Sequence, residues 1–422
     1  MLFISAYDPS CQMSQQGPII VVSNAGRPAF AIALDEAGLF PVVDAGWADA
    51  SRAIEQVQPA AVVVTASGAV EPHLAALAKQ LAARKPYLPL VAVDPEGRLP
   101  ENAIPFSQND GNFGRLMARL NAALRVRTLH ATVMRRQAEN RLDGMPLIDT
   151  DPARDATALL VGRGAAYPAL SVSLGERMGV VGALSIEAAA KHLSARDVDG
   201  IVLGEGFTAR VMDAFLTVLS EDSRFRNLPI VLTSHQLSPD YDLPNLEIIS
   251  GDPALVAANA LPLIRQHAFE AHLSRTLRSI DAGGLLDPRS GLLTPEAFSR
   301  DFATAVYQTS SRGGGLSVAR FAFDPIHERA QFDGARIISR LMRQMDFGAI
   351  QQDGSVVVVF AEADLRNAHM IARRLSSVMR RTAHGKRDVR AEPSVTVATM
   401  MPNDSAKSLL ARLYDEGRRA AS

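Results

Sequence analysis

Cysteine is almost absent from this sequence. The chain of 422 residues has one, Cys11. A single cysteine excludes an internal disulfide, and no Cys/His cluster has the spacing of metal ligands. The sequence therefore predicts neither a disulfide-stabilised fold nor a metal site.

Long apolar runs are also absent. None approaches the roughly 20 residues that a membrane-spanning helix needs. The first 16 residues lack the basic start and long apolar stretch of a signal peptide. We therefore expect a cytoplasmic protein with no membrane span and with a flexible N-terminal tail, residues 1–17.

No charge of one sign dominates. Lysine and arginine number 44 against 45 aspartates and glutamates, so no net field favours nucleic acid or a membrane surface. A hydrophobic content of 47% is ordinary for a globular protein. The length exceeds what one core usually serves, and it predicts two to four domains.

What is present is a repeated pattern of apolar runs and helical segments. Such runs, alternating with helices, are typical of a parallel α/β sheet. The same order occurs twice, which predicts two α/β domains related by duplication. The runs are PIIVVSN (18–24), AVVVT (61–65) and LPLVAVD (88–94), then ATALLVG (156–162), GIVLG (200–204), LPIVLTS (228–234) and LEIIS (246–250).

A helical stretch follows each α/β segment. The first has no acidic residue from Phe113 to Ala138. A basic helix can contact nucleic acid or an acidic partner, but we favour a solvated linker helix. The second has an apolar stripe suited to a core or a dimer partner, and it ends near Asp281-Ala-Gly-Gly. The stripe consists of Phe269, Leu273, Leu277 and Ile280.

The last 140 residues have a different pattern, β-α-β-β-α-β-α. This order predicts an antiparallel sheet of the split βαβ type. The turn QQDGS lies between two of its strands, FGAI and VVVVF. Asp-Gly is favoured in such hairpin turns.

With these units in order, the chain resembles PleD-type response regulators, which have two receiver domains and a GGDEF (diguanylate cyclase) domain. LDPRSGLLTPEAF (286–298) is similar to the opening motif of GGDEF domains. Asp287, Gly291, Leu292 and Phe298 match that motif, whereas Arg289, Ser290, Thr294 and Pro295 depart from it. More narrowly, the chain is similar to alphaproteobacterial cyclic di-GMP effector adaptors of the PopA type.

The resemblance implies two flavodoxin-like (receiver) parallel α/β domains and an α+β ferredoxin-like domain, joined by linker helices. It also implies a homodimer. The predicted boundaries are 18–112 and 151–266 for two pseudo-receivers, 113–150 and 267–282 for linker helices, and 283–422 for a degenerate GGDEF-like domain.

The residues that receivers use for phosphorylation are replaced. Thr65 and Gly204 stand where the resemblance implies the phosphoacceptor aspartates. Ser23 and Asn24, then Gly162 and Arg163, replace the acidic pairs that would hold a metal ion. We therefore expect no phosphoacceptor in either domain.

The catalytic positions of the cyclase are replaced as well. The resemblance places Ala322 at the first metal-binding aspartate, with Asp324 nearby. Gly354 and Ser355 stand at the two acids of the signature turn, and the segment between Asp324 and Arg343 is shorter than in the family. We therefore expect no enzyme activity, no metal and no cofactor.

One motif of the family is kept. Arg343-Gln-Met-Asp346 lies five residues before the degenerate turn, which is the register of the inhibitory site of GGDEF cyclases. Arg374 matches a further arginine of that site. Arginine forks pair with phosphate oxygens and guanine edges, so the resemblance implies that Arg343, Asp346 and Arg374 bind cyclic di-GMP.

Three alternative functions are compatible with these sequence features. The first is a non-catalytic adaptor that binds cyclic di-GMP and recruits a protein partner, which the sequence does not identify. The second is a dimeric scaffold that binds no nucleotide, in which Arg343 and Asp346 form only a weak surface ion pair. The third, and most distant, is a diguanylate cyclase with an unusual metal site.

Overall fold

The structure is a computed structural model, and it describes residues 17–24, 26–66, 71–108, 113–139, 151–233, 241–324, 328–380, 382–383 and 392–421. Apart from Gly17, the predicted tail lies outside the described residues, as do residues 140–150 of the first predicted linker. The chain divides into two compact units, Met1–Ala131 and Thr132–Ser422. The boundaries predicted for individual domains remain predictions.

The first unit is a five-stranded parallel sheet with helices on its faces. Its strand order is β2-β1-β3-β4-β5, the order of flavodoxin-like doubly wound sheets. Helices α2 and α3 pack on one face through Ile54, Leu74 and Leu81. The elements are β1 (Ile19–Val22), α1 (Ala29–Glu36), β2 (Val42–Ala45), α2 (Ala50–Val57), β3 (Ala61–Thr65), α3 (Glu71–Ala82), β4 (Leu90–Val93), β5 (Ala103–Phe106) and α4 (Gly114–Glu139).

The connection from β4 to β5 contains no helix. Residues 94–102 form bends, a turn and irregular backbone, whereas parallel strands are usually joined by a crossover helix. Leu99 from this loop is buried in the core instead. At the edge strand β5, which is buried, the guanidinium of Arg119 in α4 donates a hydrogen bond to the carbonyl of Pro105.

The second unit begins with a sheet of the same topology. Its parallel strands are ordered β10-β9-β8-β6-β7, so the predicted repeat of a parallel α/β sheet is confirmed. Helices α6 and α7 cover one face through Leu193, Phe215 and Leu216. The elements are η1 (Pro152–Asp155), β6 (Thr157–Val161), α5 (Tyr167–Gly175), β7 (Gly179–Ala183), α6 (Ile186–Ala195), β8 (Gly200–Leu203), α7 (Ala209–Glu221), β9 (Ile230–Leu232), β10 (Leu246–Ile248) and α8 (Pro253–Asp281).

Helix α8 crosses the predicted boundary at residue 266 without interruption. Its first half packs against β8, where Ile264 lies beside Gly200, and its second half buries Leu273 and Ile280. The last domain helix and the predicted linker are therefore one element. It ends where the Asp281-Ala-Gly-Gly sequence predicts, with Gly283 and Gly284 at positive φ.

The C-terminal part is a four-stranded antiparallel sheet in the order β12-β13-β11-β15, which confirms the predicted ferredoxin-like region. Helices α10 and α11 cover one face, and α9 and α12 cover the other. The elements are α9 (Pro295–Arg312), β11 (Leu316–Ala322), α10 (Glu328–Leu341), β12 (Phe347–Ile350), β13 (Val356–Ala361), α11 (Leu365–Met379), β14 (Thr382–Ala383), β15 (Ser394–Thr399) and α12 (Ala406–Ala421).

Arginines tie this sheet to the preceding α/β sheet within the second unit. Arg289 forms two hydrogen bonds with the carboxylate of Asp155, at 2.6 and 2.8 Å, and Arg336 donates to the Asp155 carbonyl. Burial alone would raise the pKa of Asp155, but the hydrogen bond and charge of Arg289 hold it below its usual value. In addition, β14 pairs antiparallel with β7, so it extends the neighbouring sheet by one strand.

The residues that depart from the GGDEF opening motif have structural contacts here. Besides the pairing of Arg289, the Ser290 hydroxyl donates to Asp287. Thr294 caps α9 by accepting from the Ala297 backbone N–H at 3.4 Å. Pro295 occupies the first turn of that helix, where its missing N–H costs nothing.

Candidate ligand-binding site

The Arg343–Asp346 motif forms the turn between α10 and β12. The Asp346 N–H donates to the Arg343 carbonyl at 3.0 Å. In return, the Arg343 N–H donates to one carboxylate oxygen of Asp346 at 3.2 Å. The other carboxylate oxygen accepts from the Ala361 N–H, at the end of β13, also at 3.2 Å. Asp346 therefore holds the turn against the edge of the hairpin.

Asp346 is 5% exposed, and its carboxylate faces the backbone. Burial raises its pKa more than the hydrogen bonds from Arg343 and Ala361 lower it. The sequence predicted that this acid is a ligand contact. Its geometry gives it a structural role as well, which the spacing of the motif alone did not reveal.

Arg343 and Arg374 are both exposed. Arg343 follows the end of α10, and Arg374 lies on the outer surface of α11, beside the inward-facing Leu375. Helices α10 and α11 pack next to each other on the same face of the sheet. Neither guanidinium has a hydrogen bond or ion pair with another residue that the structure describes, so both are available to an anion.

The degenerate signature turn lies at the opposite end of the β12–β13 hairpin. Four residues of β12, about 13 Å, separate it from the Arg343–Asp346 turn. Gly354 has a φ of 78°, which a residue with a side chain rarely adopts. The Asp353 carboxylate accepts from the Ser355 N–H at 3.0 Å and from its hydroxyl at 2.6 Å.

Arg320 of β11 covers this turn. Its guanidinium donates to Asp353 at 2.9 Å and to the Ser355 hydroxyl at 3.1 Å, and it lies 4.6 Å from the centre of the Tyr414 ring. Burial alone would raise the pKa of Asp353, but hydrogen bonds from Ser355 and Arg320 hold it below its usual value. The positively charged Arg320 guanidinium is therefore held beside Gly354 and Ser355, two of the predicted catalytic positions.

Sequence analysis missed Arg320. A usable indication was present, because LSVARFAF places a charge within an otherwise apolar strand. A charge in a central strand needs a partner when it is buried. Asp353 and Ser355, in the QQDGS turn, provide that partner.

The carboxyl ends of the two parallel sheets carry few acids. The Thr65 hydroxyl donates to the Val22 carbonyl at 3.4 Å. In the second sheet Arg163 folds over the corresponding edge, donating to the Gly206 carbonyl at 3.1 Å and lying 5.0 Å from the centre of the Phe207 ring. Gly204 is buried beneath this loop.

Among the described residues, no group of three or more His, Cys, Asp or Glu side chains could hold a metal ion. Likewise, no described helix is both long and apolar enough to cross a bilayer.

No protein-family model matches the chain, and no curated protein is similar to it. Solved structures similar to part of the chain are GGDEF-domain proteins. A sensory box/GGDEF family protein from Caulobacter crescentus is 21% identical, with 32% of this chain and 97% of that chain covered and a TM-score of 0.29.

Two further structures are similar to about a third of the chain. The GGDEF domain of DgcB from Caulobacter crescentus, solved in complex with c-di-GMP, is 17% identical. The match covers 32% of this chain and 90% of that chain, with a TM-score of 0.28. The FimX GGDEF domain from Pseudomonas aeruginosa is 16% identical, with 32% and 93% coverage and a TM-score of 0.30. This likeness is one of fold.

Proposed function

We propose that this protein is a non-catalytic adaptor of the response-regulator type that binds cyclic di-GMP through Arg343 and Arg374 and recruits a protein partner. One observation carries the proposal: Arg343 is exposed at a turn that Asp346 fixes from the inside, and Arg374 is exposed on α11, the helix that packs against α10. Exposed forks of this kind match the phosphates and guanine edges of a cyclic dinucleotide.

In this proposal Asp346 is chiefly a positioning residue. Each of its carboxylate oxygens already accepts one backbone N–H. The remaining lone pairs can still accept from guanine, but the larger contribution is to fix the backbone from which the Arg343 side chain extends. A pre-organised turn binds a ligand with less loss of conformational entropy.

The absence of catalysis is part of the proposal. Ala322, Gly354 and Ser355 provide no carboxylate where paired metal ions would have to bind for phosphoryl transfer. Arg320 pairs with Asp353, the remaining acid of the turn. A guanidinium at that corner disfavours the approach of a divalent cation.

We assign the parallel sheets to two pseudo-receivers, each presenting a surface to a partner. Their common strand order, that of flavodoxin-like sheets, supports this assignment. Thr65 and Gly204 offer no carboxylate for phosphorylation. Dimerisation and the likeness to PopA-type adaptors remain predictions from the family resemblance, and a cytoplasmic location remains a prediction from the sequence.

The decisive experiment is calorimetric titration of cyclic di-GMP into the full chain, with GTP as a competing ligand. Arg343→Ala should weaken binding by about a hundredfold, since a bidentate contact with phosphate is lost. Arg374→Ala should weaken it by about tenfold. Arg366, exposed on the same helix as Arg374, provides the control, and Arg366→Ala should bind as the wild type does.

A dimeric scaffold without a nucleotide ligand is the second candidate. The backbone hydrogen bonds of Asp346 favour it, because they explain that acid without any ligand. No heat from the wild type would replace the adaptor proposal with this one. Undiminished affinity in Arg343→Ala would contradict the assigned site, because the nucleotide would then bind elsewhere on the chain. Turnover of GTP with Mg²⁺ or Mn²⁺ would contradict both.

A further inference from the structure

A pocket of about 730 Å³ opens in the first unit, at the edge of the sheet where the parallel strands begin. Gly17 and Ala60 precede β1 and β3, and Pro86 precedes β4. Thr65, the position of the missing phosphoacceptor, is at the other end of β3. The pocket is therefore separate from the site that a receiver would use for phosphorylation. It is also separate from Arg343 and Arg374 of the proposed cyclic di-GMP site.

Helix α4 provides the polar wall of this pocket. Asn121, Arg125, Arg127 and Thr128 line it, and none of the described lining residues is acidic. The acid-free stretch of the sequence thus contributes two arginines to one concave surface. Volumes of this size are typical of sites for small ligands.

Arg127 is the unusual member of the set. One of its terminal guanidinium nitrogens is buried and has no hydrogen-bond partner among the described residues. Burial lowers the pKa of Arg127, and no acidic side chain offsets that effect. Arg127 as a whole is half-buried, and a buried guanidinium nitrogen without a partner costs stability, so a stability role alone does not account for an arginine at this position.

The other wall residues fit an anion with an organic portion. Arg125 is exposed at the pocket and adds a second positive charge. The amide of Asn121 can donate a further hydrogen bond. Leu124 and Pro86 add apolar surface, which suits the non-phosphate part of a ligand.

We propose that this pocket binds a small phosphate-bearing anion, with the accessible part of the Arg127 guanidinium as one contact and Arg125 as a second one. A planar guanidinium fork pairs with phosphate oxygens, and the anion supplies the negative charge that no acidic lining residue provides. This site is independent of the cyclic di-GMP site proposed above.

The chain contains its own reporter for this unit. Its single tryptophan, Trp47, packs against the core of the first sheet. Thermal unfolding of the full chain, followed by Trp47 fluorescence, therefore reports on the unit that contains the pocket. The probe is inorganic phosphate, compared with chloride and acetate at equal ionic strength and pH.

In the wild type, the midpoint of the Trp47 transition should rise with phosphate concentration. Arg127→Gln should unfold in chloride at the same temperature as the wild type or above it, because a half-buried charge without an ion pair is removed. It should also lose the phosphate-dependent rise of the unfolding midpoint, because its affinity for phosphate should be at least about tenfold weaker. Arg127→Lys, which keeps the charge without the fork, should lie between them.

Arg135→Gln is the matched control, since Arg135 is exposed on the same helix and does not line the pocket. It should respond to phosphate as the wild type does, as should Arg343→Ala. Phosphate also stabilises proteins because it is excluded from their surfaces. The test is therefore the difference in phosphate-dependent midpoint shift between the wild type and Arg127→Gln.

Three results would overturn the proposal. One is an equal phosphate increment in the wild type and in Arg127→Gln. Another is an equal response to acetate, which would indicate a site for any anion. The third is an Arg127→Gln protein that fails to fold in chloride, which would assign Arg127 to the stability of the unit.

Discussion

The two ends of the β12–β13 hairpin each have an arginine and an aspartate, arranged in opposite ways. At one end Asp346 is buried against backbone N–H groups, and Arg343 is exposed. At the other end Asp353 pairs with Arg320, whose side chain is 19% exposed. An acid that bonds to the backbone leaves its arginine available for a ligand, whereas an acid that bonds to the arginine does not.

The largest expected effect comes from removing the acid that bonds to the backbone. Asp346→Ala should lower the free energy of unfolding by about 2–3 kcal/mol, because the N–H groups of Arg343 and Ala361 lose their acceptor. Urea unfolding measures this loss. Asp346→Asn keeps one acceptor oxygen and should lose about half as much, and an unchanged stability in Asp346→Ala would contradict the structural role.

A smaller expected effect is the difference in coupling energy between the Arg320–Asp353 pair and the Arg343–Asp346 pair. A double-mutant cycle on Arg320 and Asp353 should give a coupling energy of about 0.5–1 kcal/mol, since the Asp353 side chain is 40% exposed. The same cycle on Arg343 and Asp346 should give a value near zero, because their side chains form no ion pair. Equal coupling energies would remove the distinction between the two ends.

The smallest effect is a difference in pH dependence. The pKa of Asp346 is raised in the folded state, so its contribution to stability is full below the unfolded pKa of about 4 and falls as pH rises through the folded pKa. The pKa of Asp353 is lowered, so its contribution is present above about 4 and is lost as pH falls through the folded pKa.

Unfolding of the wild type and of each Asp→Asn variant between about pH 3 and pH 6 tests this contrast. The stability difference between wild type and Asp346→Asn should decrease with rising pH. The difference for Asp353→Asn should increase. Slopes of the same sign would show that the two carboxylates have similar surroundings.

The sequence predicted much of this region because local rules determine it. Asp353-Gly354 requires a tight turn, and the valines of VVVVF require a buried strand. The sequence did not predict the inward direction of Asp346, because Ala361, its second donor, is fifteen residues away. The pairing of Arg320 with Asp353 spans 33 residues, and spacing rules do not reach that far.

Elsewhere the same limit applies. The strands β2, β5 and β7 are short and were not predicted; VVDA and GVVGA lack a long apolar run. The sequence predicted a domain boundary at residue 266, which lies within α8, and it therefore did not predict that α8 is one continuous helix. Arg289 was noted only as a departure from the GGDEF motif, since its partner Asp155 lies 134 residues earlier in the chain.

The strand β14 has a consequence for how this protein is made. Thr382 pairs with Val181 and Ala383 with Val180, so the ribosome must add about two hundred residues before the edge of that sheet is covered. Until then β7 presents unpaired backbone groups to neighbouring nascent chains. A product of premature termination before Thr382 would retain that open edge, and it would be prone to aggregate.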